Sequence, residues 1–133
     1  MNAKKILVVD DEASVVKLVR FLLEKNGFEV YVAYDGKEAV DMAREILPDL
    51  ILMDVMMPKM DGNEATRILK KVDTTRAIPI MILSALGQES EVANGLESGA
   101  VDYLVKPFNP KDLVSRVTKI LAKGQEQAQE TSS

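Results

Sequence analysis

The sequence predicts an α/β protein built on a doubly wound parallel sheet. Short apolar runs alternate with amphipathic helical stretches from one end of the 133 residues to the other. Three of these runs, residues 6–9, 50–53 and 80–83, are apolar without a break, as expected of parallel strands buried on both faces. The strand and helix patterns recur as five pairs, and right-handed crossovers between parallel strands place helices on both faces of one sheet.

Ile6-Leu7-Val8-Val9 is the first strand, stopped by Asp10-Asp11. A helix follows, with Val15, Leu18 and Leu22 beside Val16, Val19 and Leu23, a polar stripe of Lys17, Arg20 and Glu24, and a stop at Asn26-Gly27. Residues 29–33 read as the second strand. Asp35 is placed to cap the next helix while Glu38 reaches back from three residues on. Ala39, Ala43, Ile46 and Leu47 share its inner face, and Pro48 ends it. The third strand, residues 50–53, runs into Asp54. Met57-Pro58 and Asp61-Gly62 mark the loop before a helix carrying Ala65, Ile68, Leu69 and Val72.

Residues 80–83 form the fourth strand behind Pro79, a position where proline is tolerated. A shorter helix spans about residues 89–97, before Gly99, and residues 101–105 make the fifth strand. Asn109-Pro110 supplies a cap and a proline at the first helical position. Leu113, Val117, Ile120 and Leu121 keep helical spacing, and Gly124 is expected to end the helix. One domain is expected over residues 4–123. Residues 124–133 have no apolar face and read as a disordered tail or the stump of a linker.

Composition narrows the function. Asp and Glu number 21 against 17 Lys and Arg, a net charge of -4, which argues against direct nucleic-acid binding through a basic surface. The chain has no cysteine and no histidine, which excludes within it disulfides, thiolate or imidazole metal sites, a Ser-His-Asp triad and a phosphohistidine carrier. No apolar run approaches the ~20 residues that span a bilayer. Met1-Asn2-Ala3-Lys4-Lys5 leads into a short strand rather than a signal-peptide core. A cytoplasmic protein with no membrane partner is expected.

In open parallel sheets the site lies beyond the carboxyl ends of the strands. Strand 1 delivers Asp10 and Asp11 there, strand 3 Asp54, strand 4 Ser84 and strand 5 Lys106. If strands 1 and 3 are neighbours, three carboxylates converge, and at least one pKa should rise. Mg²⁺, which prefers oxygen ligands, resolves that repulsion. Carboxylates, a divalent cation, a lysine and a hydroxyl together suit phosphoryl chemistry, with aspartate as a nucleophile forming an acyl phosphate. Asp54 is the better nucleophile, since the pair on strand 1 can hold the metal.

With these residues in place, the chain resembles the receiver domains of two-component response regulators, of the chemotaxis-regulator type. The resemblance rests on residues 6–12 (ILVVDDE), 49–58 (DLILMDVMMP), Met60-Asp61-Gly62, Leu83-Ser84-Ala85, Gly99-Ala100 and residues 102–108 (DYLVKPF), in order along the chain. It implies a flavodoxin-like fold with strand order 2-1-3-4-5 and five flanking helices. It implies that Asp54 accepts a phosphoryl group from a histidine kinase or a histidine phosphotransfer protein, and that Asp10, Asp11, Asp54 and the backbone carbonyl of Met56 hold Mg²⁺. Lys106 would bind the phosphoryl group, and its bond to Pro107 would be cis. Ser84 would move to the phosphoryl oxygen and Tyr103 rotate inward behind it, changing the surface of helix 4, strand 5 and helix 5. The partner controlled would be a downstream effector protein or a C-terminal output domain missing after Gly124. The protein would be no enzyme beyond catalysing its own phosphorylation and hydrolysis.

Two positions depart from the commonest family pattern. Ser84 stands where threonine is usual, and Met56 and Leu86 are apolar where many relatives are polar. Three other readings compete. An aspartate-nucleophile phosphohydrolase would want a second acid two residues after the nucleophile, where Met56 stands. A flavin carrier would want a glycine- and hydroxyl-rich loop after strand 1, where Asp10-Asp11-Glu12 repels phosphate. A degenerate receiver acting as a scaffold would lack part of the set of acids, hydroxyl and lysine. Taken singly, Asp11 or Glu12 is a helix-dipole acid, Lys106 a solvated lysine, Ser84 a turn residue and Tyr103 half-buried packing. The functional reading is a joint one.

Overall fold

The computed structural model describes residues 3–57 and 59–132, with side chains described as far as residue 123. Pro58, which the sequence places in the loop before the third helix, lies outside these residues, as do Met1, Asn2 and Ser133. The elements are β1 (Lys5–Val9), α1 (Ala13–Lys25), β2 (Glu29–Ala33), α2 (Gly36–Ile46), β3 (Leu50–Asp54), α3 (Gly62–Lys71), β4 (Ile80–Ala85), α4 (Glu89–Glu97), β5 (Asp102–Lys106) and α5 (Pro110–Ser132). The five strands form one sheet in the order β2-β1-β3-β4-β5, every pair parallel.

Side chains alternate across the sheet with the two-residue period of a strand. Leu7, Val9, Ile51, Met53, Ile80 and Ile82 face one side, where they pack with Ala39, Val40 and Ala43 of α2, Ala65 and Leu69 of α3, and Val92 of α4. Ile6, Val8, Leu50, Leu52, Met81 and Leu83 face the other, against Val19 and Leu23 of α1 and Leu113 and Val117 of α5. The sheet residues of both sets are fully buried. This two-sided burial is why β1, β3 and β4 are apolar without interruption. Truncating one of these side chains, Leu52 for instance, would cost about 2–5 kcal/mol.

The caps follow the sequence closely. Asp35 Oδ1 accepts a hydrogen bond from the Glu38 amide at 2.8 Å, and Asp61 Oδ1 accepts one from the Glu64 amide at 2.9 Å. Asn109 Oδ1 accepts one from the Lys111 amide at 2.8 Å. The Glu38 carboxylate reaches back one residue further than the capping-box reading places it, accepting from the Tyr34 amide at 3.3 Å.

Three expectations about exposure and length are corrected. Leu18 is 45% exposed, since α1 buries only the stripe of Val16, Val19 and Leu23. Leu47 is also exposed: it takes a left-handed conformation, with φ of 53°, and the chain leaves the helix there, before Pro48. The last helix does not end at Gly124, and the polar stretch beyond is helical to Ser132 rather than irregular. A helix-interior glycine costs about 1 kcal/mol, and the Gln, Glu and Ala that follow are good helix formers.

Candidate functional site

β1 and β3 pair with Val9 opposite Met53, so the next residues of each strand, Asp10 and Asp54, leave the sheet side by side. β3 pairs with β4 with Asp54 opposite Leu83, and β4 with β5 with Ser84 opposite Val105 and Ala85 opposite Lys106. Parallel register therefore brings all the candidate polar groups to one edge of the sheet. Gly62, the first residue of α3, lets the chain turn back over this edge: a Cβ there would overlap the backbone carbonyl of Asp54.

Asp10, Asp11 and Asp54 each offer a carboxylate oxygen within 4.8 Å of the others. Asp10 is fully buried and Asp54 nearly so, whereas Asp11 is exposed. Asp10 Oδ1 accepts a hydrogen bond from the Glu12 amide at 2.9 Å, which fixes its rotamer at the start of α1. Lys106 Nζ reaches across from β5. It lies 3.1 Å from Asp10 Oδ2, 3.4 Å from Glu12 Oε1 and 3.8 Å from Asp54 Oδ1. The Lys106–Pro107 peptide bond is cis, as the family resemblance implies.

The electrostatics match the crowding. Burial pushes the Asp54 carboxyl up, the Asp10 charge adds to it, and Lys106 opposes both, leaving its pKa raised to about 7. For Lys106, burial works to lower the pKa, but the charges of Asp54, Asp10 and Glu12 and its hydrogen bond to Asp10 outweigh it, and the value is raised. Three acids facing one ammonium leave negative charge uncompensated. The donor set, all oxygen and open on the Asp11 side, fits a hard divalent cation of the Mg²⁺ kind. The Met56 amide lies 3.5 Å from Asp54 Oδ1, at the limit of a hydrogen bond.

Ser84 is 1% exposed, and its Oγ has no hydrogen-bond partner among the described residues. It lines one end of a cleft of about 440 Å³ between β4, β5 and α4, whose walls include Val92, Leu96, Tyr103 and Val105. Tyr103 is 42% exposed, close to the half-buried position the strand alternation suggests, on the edge strand β5. The sequence-predicted acids and the lysine come together; Ser84 sits on the adjoining strand β4, and Tyr103 of β5 lines the same cleft as Ser84. The sequence reading missed one member. Glu12, which the sequence gives no role of its own in the site, is an ion-pair partner of Lys106, and the acidic run from residue 10 to 12 is its signal.

A second cleft, of about 480 Å³, lies at the other end of β5 between α5 and the chain entering β4, with Lys70, Arg116 and Lys119 among its lining. Its cations are far from the convergent carboxylates, and it holds none of the site residues.

Comparison with known proteins gives a consistent result. Residues 6–118 match the family described as the response regulator receiver domain. The chain is 45% identical over 119 residues to the phosphate regulon transcriptional regulatory protein PhoB of Escherichia coli (strain K12), covering 90% of this chain and 52% of that protein. It is 45% identical over 122 residues to the alkaline phosphatase synthesis transcriptional regulatory protein PhoP of Bacillus subtilis (strain 168), covering 92% of this chain and 50% of that one. The chain thus spans about half the length of these curated relatives. Its fold superposes on the chemotaxis response regulator CheY4 of Vibrio cholerae with a TM-score of 0.83 and 34% identity, over 90% of this chain and 99% of that one.

Proposed function

Because this chain belongs to the response regulator receiver domain family, we propose that it is a phosphorylation switch in which Asp54 is the phosphoryl acceptor. The observation that carries this reading is the meeting of Asp10, Asp11 and Asp54 with the Lys106 ammonium at the carboxyl edge of the sheet. The donor is the phosphohistidine of a histidine kinase or histidine phosphotransfer protein. A carboxylate oxygen of Asp54 attacks phosphorus, the phosphorus–nitrogen bond breaks, and its electron pair returns to the imidazole. Asp10, Asp11, Asp54 and the carbonyl of Met56 would hold Mg²⁺, which would supply positive charge for the transferring oxygens. Lys106 contributes a fixed ammonium to the same oxygens, already held in place by Asp10.

Ser84 and Tyr103 read the phosphoryl group out. The unpartnered Ser84 hydroxyl gains an acceptor in the acyl phosphate, and Tyr103 turns from solvent into the cleft beside α4. The surface of α4, β5 and α5 then changes for a downstream effector or an output domain. Phosphorylation biases two arrangements already open to the fold. The receiver acts in the cytoplasm, and its own residues 4–123 make no direct contact with nucleic acid or membrane; among the described residues no helix is long and apolar enough to cross a bilayer. It catalyses only its own phosphorylation from small donors and the hydrolysis of its own acyl phosphate.

The test adds Mg²⁺ and acetyl phosphate to the wild type and to Asp54→Asn, followed by intact mass. One labile phosphoryl adduct on the wild type and none on the variant is the expected result. An adduct that persists in Asp54→Asn, or multiple turnover of varied phosphate esters, would overturn the assignment.

A further inference from the structure

A buried carboxamide sits between α3 and α4, on the side of the sheet that carries the switch helix. Asn63, in the first turn of α3, is 8% exposed. Its Nδ2 donates to the Glu91 carbonyl of α4 at 2.9 Å, which also settles the orientation of the amide. Its Oδ1 is buried and has no hydrogen-bond partner among the described residues. That oxygen occupies a notch in α4: a Cβ built on Gly95 would lie 2.8 Å from Asn63 Oδ1 and 2.6 Å from Ile82 Cδ1. The carboxamide therefore spans one turn of α4, bonded at residue 91 and seated in the space left by a glycine at residue 95.

α4 has little else to hold it. Its N-cap, Gln88, makes no side-chain cap bond, and among its residues only Val92 and Gly95 are buried. The apolar face that anchors α2 or α3 is nearly missing here, so one tertiary hydrogen bond is a large share of what keeps α4 in place.

We propose that Asn63 is a positioning residue that keys α4 onto β4 through Glu91 and Gly95, and thereby sets how readily α4 shifts when the phosphoryl site is filled. The two ends of the carboxamide act in opposite directions. The Nδ2 bond favours the seated helix, while the orphaned Oδ1 pays the desolvation penalty only as long as α4 stays seated. Displacement of α4 loses the first and lets water relieve the second, so the seated and displaced arrangements lie close in free energy. A wholly apolar seam would lack this balance. The statement about seating stands on geometry alone; the link to switching rests on the phosphoacceptor reading above.

The test uses native-state amide hydrogen exchange of the full chain, without phosphoryl donor, on the wild type, Asn63→Ala, Gly95→Ala and the double variant. Amides of residues 89–97 should exchange faster in Asn63→Ala, by about two-fold to ten-fold, because the lost Nδ2 bond is partly offset by removal of the orphaned Oδ1. Those of β1, β3 and α5 should be unchanged. Gly95→Ala should act in the same direction. Its effect should be smaller in the Asn63→Ala background, because the methyl then enters the space the carboxamide left. Titration with beryllofluoride and Mg²⁺, read from α4 amide shifts, should reach half-saturation at lower concentration in Asn63→Ala than in the wild type. Unchanged α4 exchange, or equal acceleration in every element, would overturn the keying role. Faster α4 exchange with an unshifted titration midpoint would overturn its effect on switching. A wild type that shows no beryllofluoride response would instead overturn the phosphoacceptor reading, with the exchange rates still deciding the seating of α4.

Discussion

The Lys106 ammonium lies 3.1 Å from the Asp10 carboxylate although 96 residues separate them in the chain. Asp10 is fully buried, and the lysine side chain is 13% exposed. The pair is a structural tie between β1 and β5 as well as part of the proposed phosphoryl site. Lys106→Ala leaves a buried carboxylate without its cation, a change that costs about 3 kcal/mol. Urea unfolding in metal-free buffer should show that loss, and added Mg²⁺ should recover part of it by neutralising the same carboxylates.

Asp54 links stability to pH. Its pKa is raised from 3.8 to about 7 in the folded protein, so between these values the folded state holds a proton that the unfolded state releases. The contribution of this group to stability is present below about pH 4 and is lost as pH rises to about 7. Lys106, raised above 10.5, loses its contribution only in alkali, outside that window. Asp54→Asn should remove this component of the slope and stabilise the metal-free protein at pH 8 by about 1–4 kcal/mol relative to wild type. Urea midpoints of both proteins at pH 5 and pH 8 in chelator check the sign. In the wild type, affinity for Mg²⁺ should rise through the same interval, as the cation displaces that proton.

Ser84→Ala separates readout from folding. The Ser84 hydroxyl is buried without a partner, so its removal should leave stability unchanged or raise it by about 1 kcal/mol. The phosphorylated variant should nonetheless lose most of the shift in tyrosine fluorescence and in α4 amide signals. Ser84→Thr, which keeps a hydroxyl at this position, should keep the response. A full response in Ser84→Ala would remove this hydroxyl from the switch.

Met56 follows Asp54 by two residues and Leu86 follows Ser84 by two, and both are apolar and exposed, at 54% and 78% respectively. Neither can hydrogen-bond and orient an attacking water. The acyl phosphate should decay about ten-fold faster in Met56→Asn, Leu86→Glu than in wild type, equivalent to about 1.4 kcal/mol of barrier. Decay of the adduct by mass measures this directly, and an equal or slower rate in the variant counts against the apolar shield.

Much of the architecture was legible along the chain because parallel strands buried on both faces must be apolar at every position. Residues 6–9, 50–53 and 80–83 all fall inside strands for this reason, whereas the bounds of the edge strand 29–33 and of helix α4, residues 89–97, follow the glycines that flank them, Gly27, Gly87 and Gly99. Gly124 was misread as a stop because a single glycine is a weak local signal, overridden by the helix formers after it. Leu18 was misjudged because helical spacing groups it with Leu22 but does not say how wide a stripe the sheet covers. Asn63 left no sequence signal at all. A polar residue in a first turn reads as solvated until another helix is packed over it.

The order of strands and helices and the polar residue leaving each strand were determined by the sequence alone, because secondary structure, turns and caps depend on neighbours a few positions apart. Tertiary structure decided that Glu12 joins Asp10 around Lys106, that burial and the Asp10 charge raise the Asp54 pKa, that Tyr103 lines the cleft beside α4 and that Asn63 meets Glu91. Each of these depends on the distance between segments remote in the chain and on the water excluded between them. Coulomb energy, desolvation and burial take their values only once the sheet has closed and the helices have packed upon it.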